Sequence, residues 1–246
     1  MEILGCRLDP IDADAATAAI FGFVRDKTGA QVVTLGTEMV VNAQDDRRFR
    51  EVVNACALSL CDTVGLLAVA RRRGATLTQR VTGVELIEHL CARAASDGAS
   101  VYLFGAADGV AAEAAAALQA RYPGLRVAGT RNGYFRPDES AAIAGAIRAS
   151  GADLLFVGLG SPRQEFWLAD HLQASGAGAG IGVGGSFDVI AGRVERAPEA
   201  WRKLNLEWLY RLVKEPKRWR RQLALPRFVW LIARERRREN SKGNVS

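Results

Sequence analysis

Residues 154–165 read Leu-Leu-Phe-Val-Gly-Leu-Gly-Ser-Pro-Arg-Gln-Glu. An apolar run of strand length passes through glycines into a helix start, with Ser161 as cap, Pro162 in the first turn and Gln164 at the third position. The same grammar repeats outward in both directions. Short β-rich runs alternate with alanine-rich stretches of helical length through residue 192, at Glu2 to Leu8, Gln31 to Leu35, Ala57 to Cys61, Ser100 to Gly105, Leu125 to Gly129, Leu154 to Gly158 and Gly180 to Gly184. That alternation predicts an α/β fold, a mainly parallel sheet with helices on both faces. Most of the runs end in Gly, Thr or Asp. Ligands of such sheets bind outside the carboxyl ends of the strands, where glycine admits a close backbone and helix N-termini face the ligand.

The chain has 246 residues, 49% hydrophobic and 24% charged, which excludes a disordered, collagenous or fibrous protein. Its length suits one large core with an appendage. Cys6, Cys56, Cys61 and Cys91 lack CxxC spacing and read as packing in a reducing cytosol. The opening MEILGCRLDP has no basic start followed by an apolar run, and no uncharged window of about 18 apolar residues occurs, so neither a leader nor a spanning segment is expected.

The overall charge of +6 hides an asymmetry: residues 1–192 carry 17 basic and 21 acidic side chains, residues 193–246 carry 16 and 6. Four of the five tryptophans, Trp201, Trp208, Trp219 and Trp230, lie in that second stretch. The reading is therefore a body, 1–192, and a helical appendage, 193–246. In the appendage one helix is predicted from Glu199 to Lys214, a second from near Pro216, and a kink or break at Pro226. The last eight or so residues read as disordered. Basic residues interleaved with amphipathic aromatics favour an anionic partner, namely phospholipid, nucleic acid or a phosphorylated ligand.

Standard nucleotide fingerprints are missing. Neither Gly158-Leu-Gly160 nor Gly182-Val-Gly184 continues to the third glycine of GxGxxG, and there is no GxxxxGK[ST]. His89 and His171 have no metal-ligand spacing. Asp12-Ala-Asp14 matches a DxD pattern, but it stands before an apolar helix, where Asp12 reads as a cap. Two strand-to-helix junctions instead converge on one edge. Backbone N–H groups near Ser161, Arg163 and Gln164, and the turn at Gly184 and Gly185, can hold a diphosphate or a sugar hydroxyl.

Asp62 follows a strand, where a partly desolvated carboxylate can act as a general base; capping a helix that begins near Val64 is the alternative. Thr34 ends another strand, and its hydroxyl can serve substrate or that carboxylate. Thr82 and Glu85 form a capping box, which leaves Arg80 as a candidate phosphate or carboxylate ligand. Arg211, Arg218 and Arg221, spaced by seven and three, can gather on one helix face and neutralise a pyrophosphate.

Together these residues resemble the WecG/TagA/CpsF family of bacterial glycosyltransferases over about Ile3 to Arg234. The resemblance is carried by Arg80-Val-Thr-Gly83, Gly133-Tyr-Phe135, Gly158 to Glu165, Gly182 to Asp188, Ala191-Gly192 with Arg196-Ala-Pro198, Glu207 to Arg211, and Glu215-Pro216 with Arg218. It implies a Rossmann-like body and an inverting, metal-independent transferase without a cofactor. Such an enzyme moves N-acetylmannosamine, its uronic acid or glucose from a UDP-sugar donor to an undecaprenyl-diphosphate-linked acceptor, peripherally at the cytoplasmic membrane face. By position, Asp62 resembles the base, Thr34 its neighbour, Arg80 and Gln164 donor contacts, and Arg211, Arg218 and Arg221 the appendage arginines that stabilise the diphosphate. The family's Thr-Pro-Asn-Pro-Glu is Thr34-Leu-Gly-Thr-Glu38 here, and its Asp-Gly-x-Gly is Asp62-Thr-Val-Gly65. The rival reading is a nucleotide-sensing or nucleic-acid-binding module with a basic tail, although no nucleic-acid motif is present. The oligomeric state is left open.

Overall fold

The computed structural model describes residues 1–195, 197, 198, 201, 207–214 and 223–243. The first predicted strand is instead a small hairpin, β1 (Glu2–Ile3) paired antiparallel with β2 (Cys6–Arg7), outside the main sheet. Leu4 and Gly5 both have positive φ, 51° and 78°, a turn that folds the run back on itself.

The other six predicted strands form the sheet: β3 (Ala30–Leu35), β4 (Leu58–Cys61), β5 (Ser100–Gly105), β6 (Arg126–Arg131), β7 (Leu154–Gly158) and β8 (Ala179–Gly182). Their order is β4-β3-β8-β7-β5-β6, and every neighbouring pair is parallel. Every residue of β4, β5, β7 and β8 is buried, as expected where helices cover both faces, whereas edge strand β6 is only partly covered. β8 stops short of the predicted Gly184 because that glycine turns out of the strand with φ +54°.

One face carries α1 (Ala13–Arg25), α5 (Gly83–Asp97), α6 (Val110–Arg121) and α9 (Ser186–Ile190) over a core that includes Ile20, Leu60, Leu86, Phe156 and Phe187. The opposite face carries α2 (Thr37–Asp45), α3 (Arg47–Ala55), α7 (Ser140–Ser150) and α8 (Arg163–Ser175). α4 (Val64–Arg72) packs near the hairpin. This is the Rossmann-like arrangement of the sequence reading. Asp12 caps α1, its Oδ1 accepting from Ala15 N at 2.8 Å, so the DxD pattern is a helix start.

Beyond the body the described elements are α10 (Glu207–Lys214) and α11 (Ala224–Gly243). The predicted beginning of a helix at Glu199 and the helix from Pro216 lie outside the described residues. Pro226 does not break its helix. It is the third residue of α11, within the first turn, where a missing N–H costs nothing. α11 runs as far as Gly243. α11 lies on α2. Phe228, 3% exposed, joins the core of Leu35, Met39 and Leu66, Arg227 makes two hydrogen bonds to Asp45 at 2.6 and 2.7 Å, and Arg73 pairs with Glu235. Among the described residues no helix is long and apolar enough to cross a membrane.

Candidate active site

Strand order places the carboxyl ends of β4, β3, β8 and β7 side by side, so Asp62, Thr34, the Gly182–Gly185 turn and the Gly158–Glu165 junction share one edge. The helices that follow adjacent strands diverge there: α2 leaves β3 for one face of the sheet and α9 leaves β8 for the other. Between strands whose connections part in this way, open α/β sheets form their ligand crevice.

At the β4 end, the Asp62 N–H donates to Leu35 O at 3.0 Å, which fixes the backbone while the residue stays half-buried. The N-cap position of α4 is Thr63, one residue after Asp62. Val81 N donates to Cys61 O at 2.7 Å and seats the Arg80 segment along the strand end, where Arg80 Nη1 lies 3.4 Å from the Asp62 carbonyl. Burial and then the neighbouring Asp62 charge push the Cys61 thiol up to about 12, against the Thr63 backbone and the Arg80 and Arg71 guanidinium groups. It stays a neutral thiol near neutral pH.

The two departures from the family pattern answer each other in space. A Cβ on Gly36 would lie 3.3 Å from Thr63 Cγ2, so the Thr63 methyl takes up the room beside a residue that has no side chain. Thr37, which stands where the pattern has a proline, brings an N–H that a proline lacks, and that N–H donates to Thr63 Oγ1 at 3.2 Å. Gly65 keeps α4 close to α2: a Cβ there would meet Thr37 Cγ2 at 2.7 Å and Phe228 at 3.6 Å. Phe228 therefore brings α11 to the Asp62 end of the crevice.

The other junctions are internally bonded. The Thr34 hydroxyl, expected to serve substrate or Asp62, donates to Gly182 O at 3.1 Å and ties β3 to β8. Ser161 is not the cap of α8: the N-cap position is Pro162, and the first turn begins with Gln164 N donating to Gly160 O at 3.0 Å. Because the backbone supplies that carbonyl, no side-chain cap is required. In the Gly-lined turn expected to meet a ligand, the Gly184 N–H donates to Gln164 Oε1 at 3.0 Å. The Gln164 Nε2 donates to Glu165 Oε1 at 2.7 Å. Both side chains are buried, and a Cβ on Gly182 would collide with them, 2.7 Å from Gln164 Nε2 and 3.2 Å from Glu165 Oε1. Gly185 is the N-cap of α9. Exposed Arg163 stacks on the Phe135 ring at 4.3 Å, and that ring packs on Phe104.

Burial, opposed by the Gln164 amide and the Ser161 hydroxyl, raises the Glu165 carboxyl above the usual carboxylate range. Sequence reading did not single out Glu165, because a glutamate in the first turn of a helix is the ordinary exposed choice and no periodic signal marks it as buried. Of the predicted arginines, Arg80 is placed at the crevice. Arg211 falls on α10, but its side chain, like Arg218 and Arg221, lies outside the described residues.

Comparison with known proteins adds two findings. The profile of the glycosyl transferase WecG/TagA/CpsF family matches residues 1–242. The chain is also similar to the N-acetylglucosaminyldiphosphoundecaprenol N-acetyl-beta-D-mannosaminyltransferase of Bacillus spizizenii, 34% identical over 215 residues that cover 87% of this chain and 83% of that protein.

Proposed function

Because this chain belongs to the WecG/TagA/CpsF glycosyltransferase family, we propose that it transfers a sugar from a UDP-sugar to an undecaprenyl-diphosphate-linked sugar, with inversion and without a metal. The observation that carries the reading is the half-buried Asp62, held by its backbone at the crevice edge beside Arg80. The name of the Bacillus relative supports the lipid-linked acceptor and N-acetylmannosamine as the first donor sugar to try.

In this mechanism the Asp62 carboxylate takes the proton from the acceptor hydroxyl as that oxygen bonds to the anomeric carbon. The bond from that carbon to the diphosphate oxygen breaks on the opposite face, and UDP leaves with the electron pair. Negative charge thus grows on the diphosphate. Arg80 and the appendage residues Arg211, Arg218 and Arg221 are the proposed counter-charges, each worth about 2–4 kcal/mol when preorganised away from water. Residues 193–246 act as an appendage that completes the site and meets the anionic inner face of the cell membrane. Exposed Leu223, Val229 and Trp230 beside Arg234, Arg236 and Arg237 support that contact, since apolar anchors with basic neighbours suit a phospholipid surface.

The test is a screen of UDP-sugars with a short-chain polyprenyl-diphosphate N-acetylglucosamine acceptor in EDTA, with the product linkage determined. The expected result is one preferred donor, an inverted linkage and full activity in the chelator. No product with any UDP-sugar overturns the donor class, and loss in EDTA restored by a divalent cation overturns metal independence.

A further inference from the structure

Glu165 is 1% exposed, yet its Oε2 makes no hydrogen bond of normal geometry among the described residues, and neither does the buried Ser161 Oγ. Evolution rarely leaves such a carboxyl inside a parallel α/β core without a task, because an unpaired buried polar atom is costly. Its other oxygen has one. Oε1 accepts from Gln164 Nε2 at 2.7 Å, and this sets which way round the Gln164 carboxamide lies. With the nitrogen held toward Glu165, Gln164 Oε1 faces the Gly184 N–H and accepts from it at 3.0 Å. The chain of bonds crosses from α8 to the turn after β8, and Gly182, whose carbonyl accepts from Thr34, passes directly over the pair. Gln31 Nε2 donates to the Glu165 backbone carbonyl at 3.0 Å and anchors the residue from β3.

We propose that Glu165 is a positioning residue for the donor site: its carboxyl orients Gln164, and through Gln164 it fixes the backbone of the Gly182–Gly185 turn. Burial raises the Glu165 carboxyl, while the Gln164 amide and the Ser161 hydroxyl hold it down. The proposal rests on the glycosyltransferase reading only in taking that turn to face the nucleotide-sugar donor. Without Glu165 the carboxamide can flip, presenting its NH2 to the Gly184 N–H, and two donors then repel the turn out of place.

Four full-length variants test this: Glu165→Gln, Glu165→Leu, Gln164→Ala and the double variant Gln164→Ala/Glu165→Leu, each read by donor and acceptor kinetics and by amide hydrogen exchange at Gly184. Glu165→Gln keeps an oxygen that accepts from Gln164 Nε2 in a side chain of the same size, so it is expected to match the parent. Glu165→Leu and Gln164→Ala should both speed exchange at Gly184 and raise the donor KM about tenfold, with kcat changed less and the acceptor KM unmoved. The double variant should be no worse than Gln164→Ala, since both act through one bond chain. Parent-like exchange at Gly184 in Gln164→Ala, a Glu165→Gln protein that exchanges as fast as Glu165→Leu, or a double variant showing the product of both single losses would each overturn the proposal. The exchange readout needs no substrate. If the parent used no UDP-sugar, the donor reading would fail while Gly184 still decided the role of Glu165.

Discussion

The two ends of the crevice are built from the same unit, a parallel strand running into a helix, and they treat their polar groups in opposite ways. At the β4 end Asp62 and Arg80 are half-buried side chains placed by backbone bonds, with Thr63 and Thr37 closing the turn beside them. At the β7 and β8 end the polar groups are buried and bonded to one another, Thr34 to Gly182 and Gly184 through Gln164 to Glu165. Proton transfer needs a group that solvent or substrate can reach. A binding turn needs a fixed shape, and a low-dielectric hydrogen-bond network supplies rigidity. On the proposed mechanism, the contrast separates reactive chemistry at one end from positioning at the other.

The largest expected effect breaks the open end. Asp62→Asn should lower kcat by about 10²–10⁴ while UDP binding, measured by calorimetry, stays unchanged. Near-normal turnover would remove Asp62 from the role and dissolve the contrast. Next comes the anchor of α11 at that end. Phe228→Ala removes a fully packed ring, a change that costs about 3–5 kcal/mol in protein cores, so hydrogen exchange across 224–237 should rise sharply while the sheet stays protected. Equal loss of protection in the sheet would show that α11 and the body unfold together.

Smaller still is Thr63→Gly, which leaves the Thr37 N–H without its hydroxyl partner and should cost about 1 kcal/mol in thermal or urea unfolding. No loss would mean that the mutual fit of Gly36, Thr37 and Thr63 carries no stability. The least effect concerns the thiols. Burial pushes Cys6 up to about 11 and Cys56, Cys61 and Cys91 up to about 12, so at pH 8 all four are neutral and a thiolate-specific reagent should leave the native protein unlabelled. Denaturation should release all four. Native labelling at Cys61, next to Asp62, would sharpen the contrast by showing an end more open than its burial indicates.

The sheet was legible because its strands are continuous apolar runs closed by Gly or Asp, and the helices because Asp12, Thr82 and the alanine-rich stretches announce them. Asp62 was legible for the same reason: it ends a strand. The hairpin at Leu4 and Gly5 was not, since a seven-residue β-rich run looks the same whether it continues or doubles back. Pro226 was expected to kink a helix and instead lies in the first turn of one, and the cap expected at Ser161 falls one residue later, at Pro162. The Gly184 N–H in the turn expected to meet a ligand, and the Thr34 hydroxyl expected to serve substrate or Asp62, are both spent on internal bonds.

From its residue order alone this chain declared a parallel α/β body, a basic aromatic-rich end, and the strand termini where chemistry would gather. Periodicity and caps are local properties, written within a few neighbouring residues. Which donors are already spoken for is not local: Gly184 meets Gln164 across 20 positions, Thr34 meets Gly182 across 148, and Phe228 reaches Gly65 from the far end of the chain. Only folding in three dimensions decided those pairings, because a hydrogen bond or a packed ring depends on distance in space, which spacing along the chain does not encode.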